Sequence, residues 1–223
     1  TVYATGNYEH NKLGIYNLSG DLRIPTKVPS FLGASVVAVS AGTNHGLALY
    51  YTTNAASFGD NSYGQLGNGN LLETTAIQTV EASGIFDISA GYNHSMVTNQ
   101  TGTLYVFGDN SLGQLGLGGM NDGTIQYISK PTANEMFLSN VYAMSISAGN
   151  KFSTFADRNG VVYGFGDYTQ GNGTEFGLDT IETRSDTPVM IGESRLVAGD
   201  NEVTVVSDGD EVKLNVPDVS KFN

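Results

Sequence analysis

The chain has 223 residues, 22 acidic against 10 basic, a formal charge of −12 and no cysteine. The missing cysteines exclude disulfides, thiolate chemistry and zinc–thiolate sites. The acidic balance argues against a surface for phosphate backbones, so no nucleic-acid partner is expected. With 29 Gly and only five Pro, the composition suits many short strands and tight turns. No sustained helical period is present and no apolar run approaches membrane-spanning length, so no membrane insertion is expected. No signal peptide is visible, and the first residue is Thr1 rather than Met, a start that processing or truncation would also produce.

In chain order, the first signal is Val2-Tyr3-Ala4-Thr5-Gly6-Asn7, which matches Leu104-Tyr105-Val106-Phe107-Gly108-Asp109 with Thr5 in the aromatic place. Its Ala-Gly partner would lie before Thr1. Next come two near copies. One begins Ser40-Ala41-Gly42-Thr43-Asn44-His45 and ends Phe58-Gly59-Asp60-Asn61-Ser62-Tyr63-Gly64-Gln65-Leu66-Gly67. The other begins Ser89-Ala90-Gly91-Tyr92-Asn93-His94 and ends Phe107-Gly108-Asp109-Asn110-Ser111-Leu112-Gly113-Gln114-Leu115-Gly116. Equivalent residues stand 49 positions apart, a period that means a repeat architecture in which each unit buries its apolar face against its neighbours. A weaker copy follows over 147–177, with Lys151-Phe152 near the His place and Glu175-Phe176-Gly177 replacing Gln-Leu-Gly. The last half-signal, Ala198-Gly199, has Asn215 where its aromatic should stand.

The Ala-to-aromatic distance is 17 residues in all three complete copies, which implies a fixed hairpin. Antiparallel hairpins are expected over 37–58, 88–107, 146–165 and 196–214, with Leu47, Ala48, Met96 and Phe155 packed between units. Asn99 to Gly102, Asn159-Gly160 and Asp208-Gly209 read as the turns, and Thr53-Asn54 weakens that turn in the second copy. The Ala-Gly pair is small where adjacent units approach closely. Segments between hairpins vary in length, and the excess in 118–142 reads as loop-rich, with Met120-Asn121-Asp122-Gly123 and Ser129-Lys130-Pro131.

These units resemble the repeats of the regulator of chromosome condensation family, closely around 40–67 and 89–116 and with decay towards both ends. The resemblance implies a β-propeller of four-stranded blades, usually seven. Four hairpin signals and one orphan strand make fewer than that. The expected fold is therefore an all-β propeller-type repeat array of about four blades: a fragment, a small ring, an open arc, or part of a ring completed by other chains. Residues 1–223 read as one such domain. The ends are expected either to pair together or, the version favoured, to be covered by neighbouring chains.

Candidate sites are weighed against structural roles. His45 and His94 hold one repeat position and read as blade residues satisfied by neighbouring backbone, because equivalent positions in adjacent units do not converge as metal ligands must. Asp60, Asp109 and Asp167 read as turn-binding carboxylates rather than a cation ring. Gly-Gln-Leu-Gly at Gly64 and Gly113 reads as a blade corner, since no strand-to-helix phosphate loop accompanies it. Asp122 and Asp179 have no partner at acid–base or metal spacing. Glycosylation patterns at Asn17, Asn99 and Asn172 are short enough to arise by chance. No catalytic residue, cofactor or metal site is therefore expected, and the chain is read as no enzyme. The function expected is a non-catalytic interaction or structural module with protein partners or neighbouring subunits, and Asn121, Asp122, Tyr127 and Lys130 are its candidate contact residues. The Asn-, Thr-, Ser- and Gly-rich composition favours a virion or bacterial surface assembly over the nucleus. The alternative is guanine-nucleotide exchange on a small GTPase, which the family's namesake performs; only the 118–142 excursion could carry it. A propeller-type hydrolase or lyase has no positive sign in the sequence.

Overall fold

The computed structural model describes residues 1–118, 125–135, 141–167, 184–191, 195–199, 202–207 and 210–215, with side chains up to residue 191 apart from that of Thr75. Five antiparallel sheets follow one another along the chain. The first has two strands, β1 (Tyr3–Gly6) and β2 (Leu22–Lys27). Three four-stranded sheets follow. They comprise β3 (Val36–Ala41), β4 (His45–Tyr50), β5 (Ala55–Gly59) and β6 (Thr74–Thr79); β7 (Ile85–Ala90), β8 (His94–Asn99), β9 (Leu104–Asp109) and β10 (Tyr127–Ala133); and β11 (Ala143–Ala148), β12 (Phe152–Asp157), β13 (Val162–Asp167) and β14 (Arg184–Ile191). The fifth has three, β15 (Arg195–Gly199), β16 (Glu202–Ser207) and β17 (Asp210–Asn215). Each strand pairs with its neighbours in sequence, so every sheet is an up-and-down meander. The described residues contain two short 3₁₀ turns, Glu9–Asn11 and Pro29–Phe31, and no α-helix. This is a β-propeller architecture, and the sheets are its blades.

All four expected hairpins are present as antiparallel strands, each extending a little beyond its sequence bounds. Leu47, Ala48 and Met96 are fully buried and Phe155 nearly so. Apolar clusters fill each described seam. Leu47, Ile88, Val97 and Phe107 join the second and third blades, Met96, Val106, Phe155 and Phe165 the third and fourth, and Val28, Phe31, Ala48 and Ala56 the first and second. Each fully buried Phe or Leu contributes about 1.5–3 kcal/mol relative to exposure. A unit standing alone would expose one such face, which is why the pattern repeats.

The 118–142 excursion differs from its reading as loop. Residues Tyr127–Ala133 form β10, the outer strand of the third blade. Pro131 hides this strand from sequence inspection, because proline cannot donate to a ladder. The strand accommodates it by pairing with β9 on one side only and by a register shift between Ile128 and Thr132. The same device recurs: β2 carries Pro25 and β14 carries Pro188, each an outer strand with an irregular register. Proline at an outer edge also blocks the addition of further strands.

Blade seams and the candidate interaction surface

The repeated polar residues converge on the seams. His45 of the second blade is fully buried, and its Nε2 lies 2.8 Å from Oγ of Ser95 in the third blade. Ser95 Oγ donates its only hydrogen to the Gln65 carbonyl, 2.8 Å away in the corner of the second blade. The serine is then an acceptor towards the ring, so Nε2 carries the imidazole hydrogen and donates it. The third and fourth blades repeat the relay: His94 Nε2 donates to Ser153 Oγ at 2.9 Å, and Ser153 Oγ donates to the Gln114 carbonyl at 2.8 Å. Nδ1 of both rings is buried without a partner. Burial pushes the His45 pKa down to about 4 against a smaller opposing pull from Asp60, and that of His94 to about 3, with His45 adding to the depression. Both rings are neutral at physiological pH. The histidines are buried blade residues as expected, but the partner differs from the expectation: Nε2 is held by a serine hydroxyl of the next blade and not by backbone, and Nδ1 has no partner.

Beside the relay, the blades approach backbone to backbone. Thr43 N–H donates to the Gly91 carbonyl at 3.3 Å and Tyr92 N–H to the Gly149 carbonyl at 3.1 Å. A Cβ on Gly91 would stand 2.6 Å from the Gly149 oxygen and closer still to the His94 ring. Ser40 Oγ accepts from Ala90 N–H at 2.9 Å, and Ser89 Oγ accepts from Ala148 N–H at 2.8 Å. These strand ends line a shallow groove of about 410 Å³ running through residues 41–43, 90–92 and 148–150.

The carboxylates serve their own turns. Asp60 accepts from Ser62 N–H and Oγ at 3.0 and 2.6 Å and from Gln65 Nε2 at 3.1 Å. Asp109 accepts from Ser111 N–H at 2.9 Å. Asp167 is equally buried in the fourth blade. Gln65 and Gln114 close the corner by accepting from Tyr63 N–H and Leu112 N–H. Among the described residues no group of three or more His, Cys, Asp or Glu side chains could hold a metal.

One corner was not recognised from sequence. Asn11-Lys12-Leu13-Gly14 follows Gly6 at the spacing by which Gly64-Gln65-Leu66-Gly67 follows Gly59. Asn11 holds the positive φ (55°) that Gly64 (82°) and Gly113 (80°) hold, which Asn tolerates. Leu13 is buried like Leu66 and Leu115. The retained Leu-Gly, eight residues from the first Gly, was the signal available.

Of the candidate contact residues, Tyr127 opens β10 and is half exposed, with Asp109 as its ladder partner. Lys130 lies on the same strand with its ammonium 3.2 Å from the Glu81 carboxylate. The structure thus puts both on one outer edge strand. Asn121, Asp122 and Asp179 lie outside the described residues, as do Asp208-Gly209 and Asn172. No helix among the described residues is long and apolar enough to cross a membrane.

Four-stranded meanders side by side, sealed by a recurring His–Ser–carbonyl relay, define a β-propeller repeat protein. A profile described as Regulator of chromosome condensation (RCC1) repeat matches residues 1–49, 57–98 and 101–156, and a second of the same description matches 87–114. The chain belongs to the RCC1 repeat family. Human WBSCR16 is similar in structure (TM-score 0.73, 21% identity, 92% of this chain and 54% of that one). So is Prp20p from Saccharomyces cerevisiae, in a structure whose title also covers its binding to Gsp1p and histones (TM-score 0.68, 23% identity, 92% and 51%). Yeast RCC1 (Prp20) bound to Kap60 matches equally well (TM-score 0.68, 23% identity, 95% and 48%). These likenesses concern the fold, and the chain spans about half the length of those proteins.

Proposed function

We propose that residues 1–223 form one repeat domain that acts as a non-catalytic protein-interaction module. The supporting observation is where the repeat spends its chemistry. His45, His94, Asp60, Asp109, Gln65 and Gln114 are buried and engaged within blades and seams, so reactive groups are used to hold the frame. What remains for recognition is surface, including the β10 edge with Tyr127 and Lys130; Asn121 and Asp122 join it as candidates from the sequence alone. A formal charge of −12 favours a basic protein surface as partner over nucleic acid. A place in a multi-chain assembly, virion or surface structure is one form of this reading and rests on composition.

Nucleotide exchange on a small GTPase is the second reading, supported by the family and by Gsp1p in the Prp20p title. One experiment separates the two. Gsp1p and core histones are titrated against the chain while release of fluorescent GDP from Gsp1p is followed. The interaction reading expects saturable protein binding, weakened at least tenfold by Tyr127→Ala with Glu81→Lys, which puts a second cation beside Lys130, an unchanged GDP release rate, and no duplex DNA shift at micromolar protein in physiological salt. Accelerated release would make exchange the function, and binding indifferent to the double substitution would move the contact surface elsewhere.

A further inference from the structure

Asn-Gly pairs stand at 68–69, 159–160 and 172–173, and the last lies outside the described residues. An Asn before Gly carries a latent reaction. Glycine has no Cβ to obstruct the approach of its nitrogen to the Asn side-chain carbonyl carbon, and its backbone turns freely towards it. The two described pairs are restrained in different ways. Gly160 N–H donates to the Asp157 carbonyl at 3.0 Å, and Asn159 Nδ2 donates to Asp157 Oδ2 at 3.1 Å. Both bonds lie within one hairpin turn whose tip, Asn159-Gly160, is exposed. Gly69 N–H instead crosses to the next blade and donates to the Ser129 carbonyl of β10 at 2.9 Å.

The Asn68 side chain is held at both ends. Its Oδ1 accepts from Asn61 Nδ2 and from Asn70 N–H, each at 3.3 Å, and its Nδ2 donates to Gln78 Oε1 at 3.2 Å. Asn61 is fully buried, which ties this network to the packed corner of the second blade. That corner lies tight on β10. A Cβ at Gly64 would stand 2.5 Å from Ser129 Cα, and one at Gly69 would stand 2.8 Å from Lys130 Cε and 3.2 Å from Glu81 Oε1. The Gly69 nitrogen is therefore released only when β10 lifts from the corner, whereas fraying of a single turn releases that of Gly160.

We propose that Asn68-Gly69 is a deamidation site gated by the seam between the second blade's corner and β10, with water as its co-reactant. Once that seam opens, the Gly69 nitrogen forms a bond to Asn68 Cγ. The Cγ–Nδ2 bond breaks, and Nδ2 leaves as ammonia with the proton that Gly69 N–H gives up. Water then opens the cyclic imide. Opening at the side-chain carbonyl yields Asp, and opening at the backbone carbonyl yields isoaspartate. No oxidant or reductant takes part. Either product adds a negative charge next to the glycine that lies against the Lys130–Glu81 pair. Isoaspartate also lengthens the main chain, so that Gly69 N–H no longer meets the Ser129 carbonyl in register. The modification is a one-way record of β10 having left the corner. It rests on the seam geometry and not on the partner reading above.

The test incubates the full chain in mildly alkaline buffer and follows peptides spanning residues 68 and 159 by mass spectrometry, with Gly69 amide exchange read by NMR. In native buffer Asn68 should react at least tenfold more slowly than Asn159, and in the urea-unfolded chain the two rates should agree within about threefold. Across sub-denaturing urea the Asn68 rate should rise in proportion as Gly69 amide protection falls. Gly64→Ala, which forces a Cβ against Ser129, should raise the Asn68 rate at least fivefold and leave Asn159 unchanged. Equal native rates at the two sites overturn the proposal. So does an Asn68 rate that ignores Gly69 protection, and so does an Asn68 that stays intact in the unfolded chain. Where Gly64→Ala unfolds the chain and speeds both sites alike, the urea series on the unaltered chain decides. Binding to Gsp1p or histones can fail without touching any of these readouts.

Discussion

The seam between the second and third blades and the seam between the first and second use the same repeat positions with different chemistry. In the former, Ser95 stands opposite Phe107 in the ladder, takes the His45 hydrogen bond and passes its own hydrogen to Gln65. Phe107, fully buried, packs against Gly67 of the preceding corner. In the latter, Gly46 stands in the serine place, opposite Phe58. A Cβ there would lie 2.6 Å from the Phe58 ring, which reaches Gly14 of the first corner and meets Phe31 edge-on at 5.9 Å. By register, the fourth blade has Phe152 in the histidine place and the fifth has Val203 in the serine place. The polar relay is thus confined to the two middle seams, and the seams nearer the ends carry apolar residues at its positions. Losing one member would strand the buried polar atom of the other, and at the seam of the fourth and fifth blades both places are apolar together, Phe152 and Val203.

The largest expected effect probes the relay with protons. Both histidines have native pKa values below the ordinary 6.5, near 4 and 3. Below pH 6.5 the unfolded chain takes up protons that the native chain does not, so stability is full above that pH and falls as the pH is lowered towards 4 and then 3. Two such groups give a slope approaching about 2.7 kcal/mol per pH unit, and urea unfolding should show roughly 3 kcal/mol lost between pH 6.5 and 5. His45→Gln with His94→Gln should flatten that slope whatever it does to stability at pH 7. A slope unchanged by the pair would mean that the rings are not held neutral.

A smaller effect tests the difference between seams. Gly46→Ser installs the residue that the third and fourth blades use, yet it should destabilise by about 1–3 kcal/mol, the usual cost of overpacking, because the Phe58 ring occupies the site. If Gly46→Ser were neutral in denaturant midpoint at constant m-value, the first seam would be able to adopt the relay packing.

The smallest effect concerns the hairpin turns. Gly102 and Gly160 hold positive φ at the tip of their hairpins (78° and 82°), and Thr53 holds the equivalent place at 64°. A β-branched residue pays about 1–2 kcal/mol in that region. Thr53→Gly should therefore raise stability by about 1 kcal/mol and the midpoint temperature by a few degrees, even though glycine gives the unfolded chain more freedom. A lower Tm would show that the turn is not strained.

Much of the architecture was legible because it repeats. The 17-residue spacing located the inner three strands of each full blade, and the small Ala41-Gly42 and Ala90-Gly91 pairs marked where blades touch. The outer strands were less visible. Pro131 and Ser129 make β10 read as loop, and the edge position that tolerates them is a property of the sheet. The first corner was missed because Asn11 and Lys12 replace Gly and Gln, although Asn can adopt the same backbone. The candidate contact residues were chosen from a loop reading of 118–142, and two of them, Tyr127 and Lys130, turn out to sit on a strand.

By itself the sequence determined the repeat, its period, the all-β class and the family, because a buried face that recurs at fixed spacing needs like neighbours to cover it. Only the tertiary structure decided what His45 and His94 do. Their partners, Ser95 and Ser153, lie 50 and 59 residues away, and the bond exists only once two blades are stacked. The same holds for Val39: its local pattern matches that of Ile88, and its exposure depends on whether a neighbouring strand lies against it. Local pattern shows which face a residue presents. Burial and protonation depend on what packs against that face, and only the assembled blades supply it.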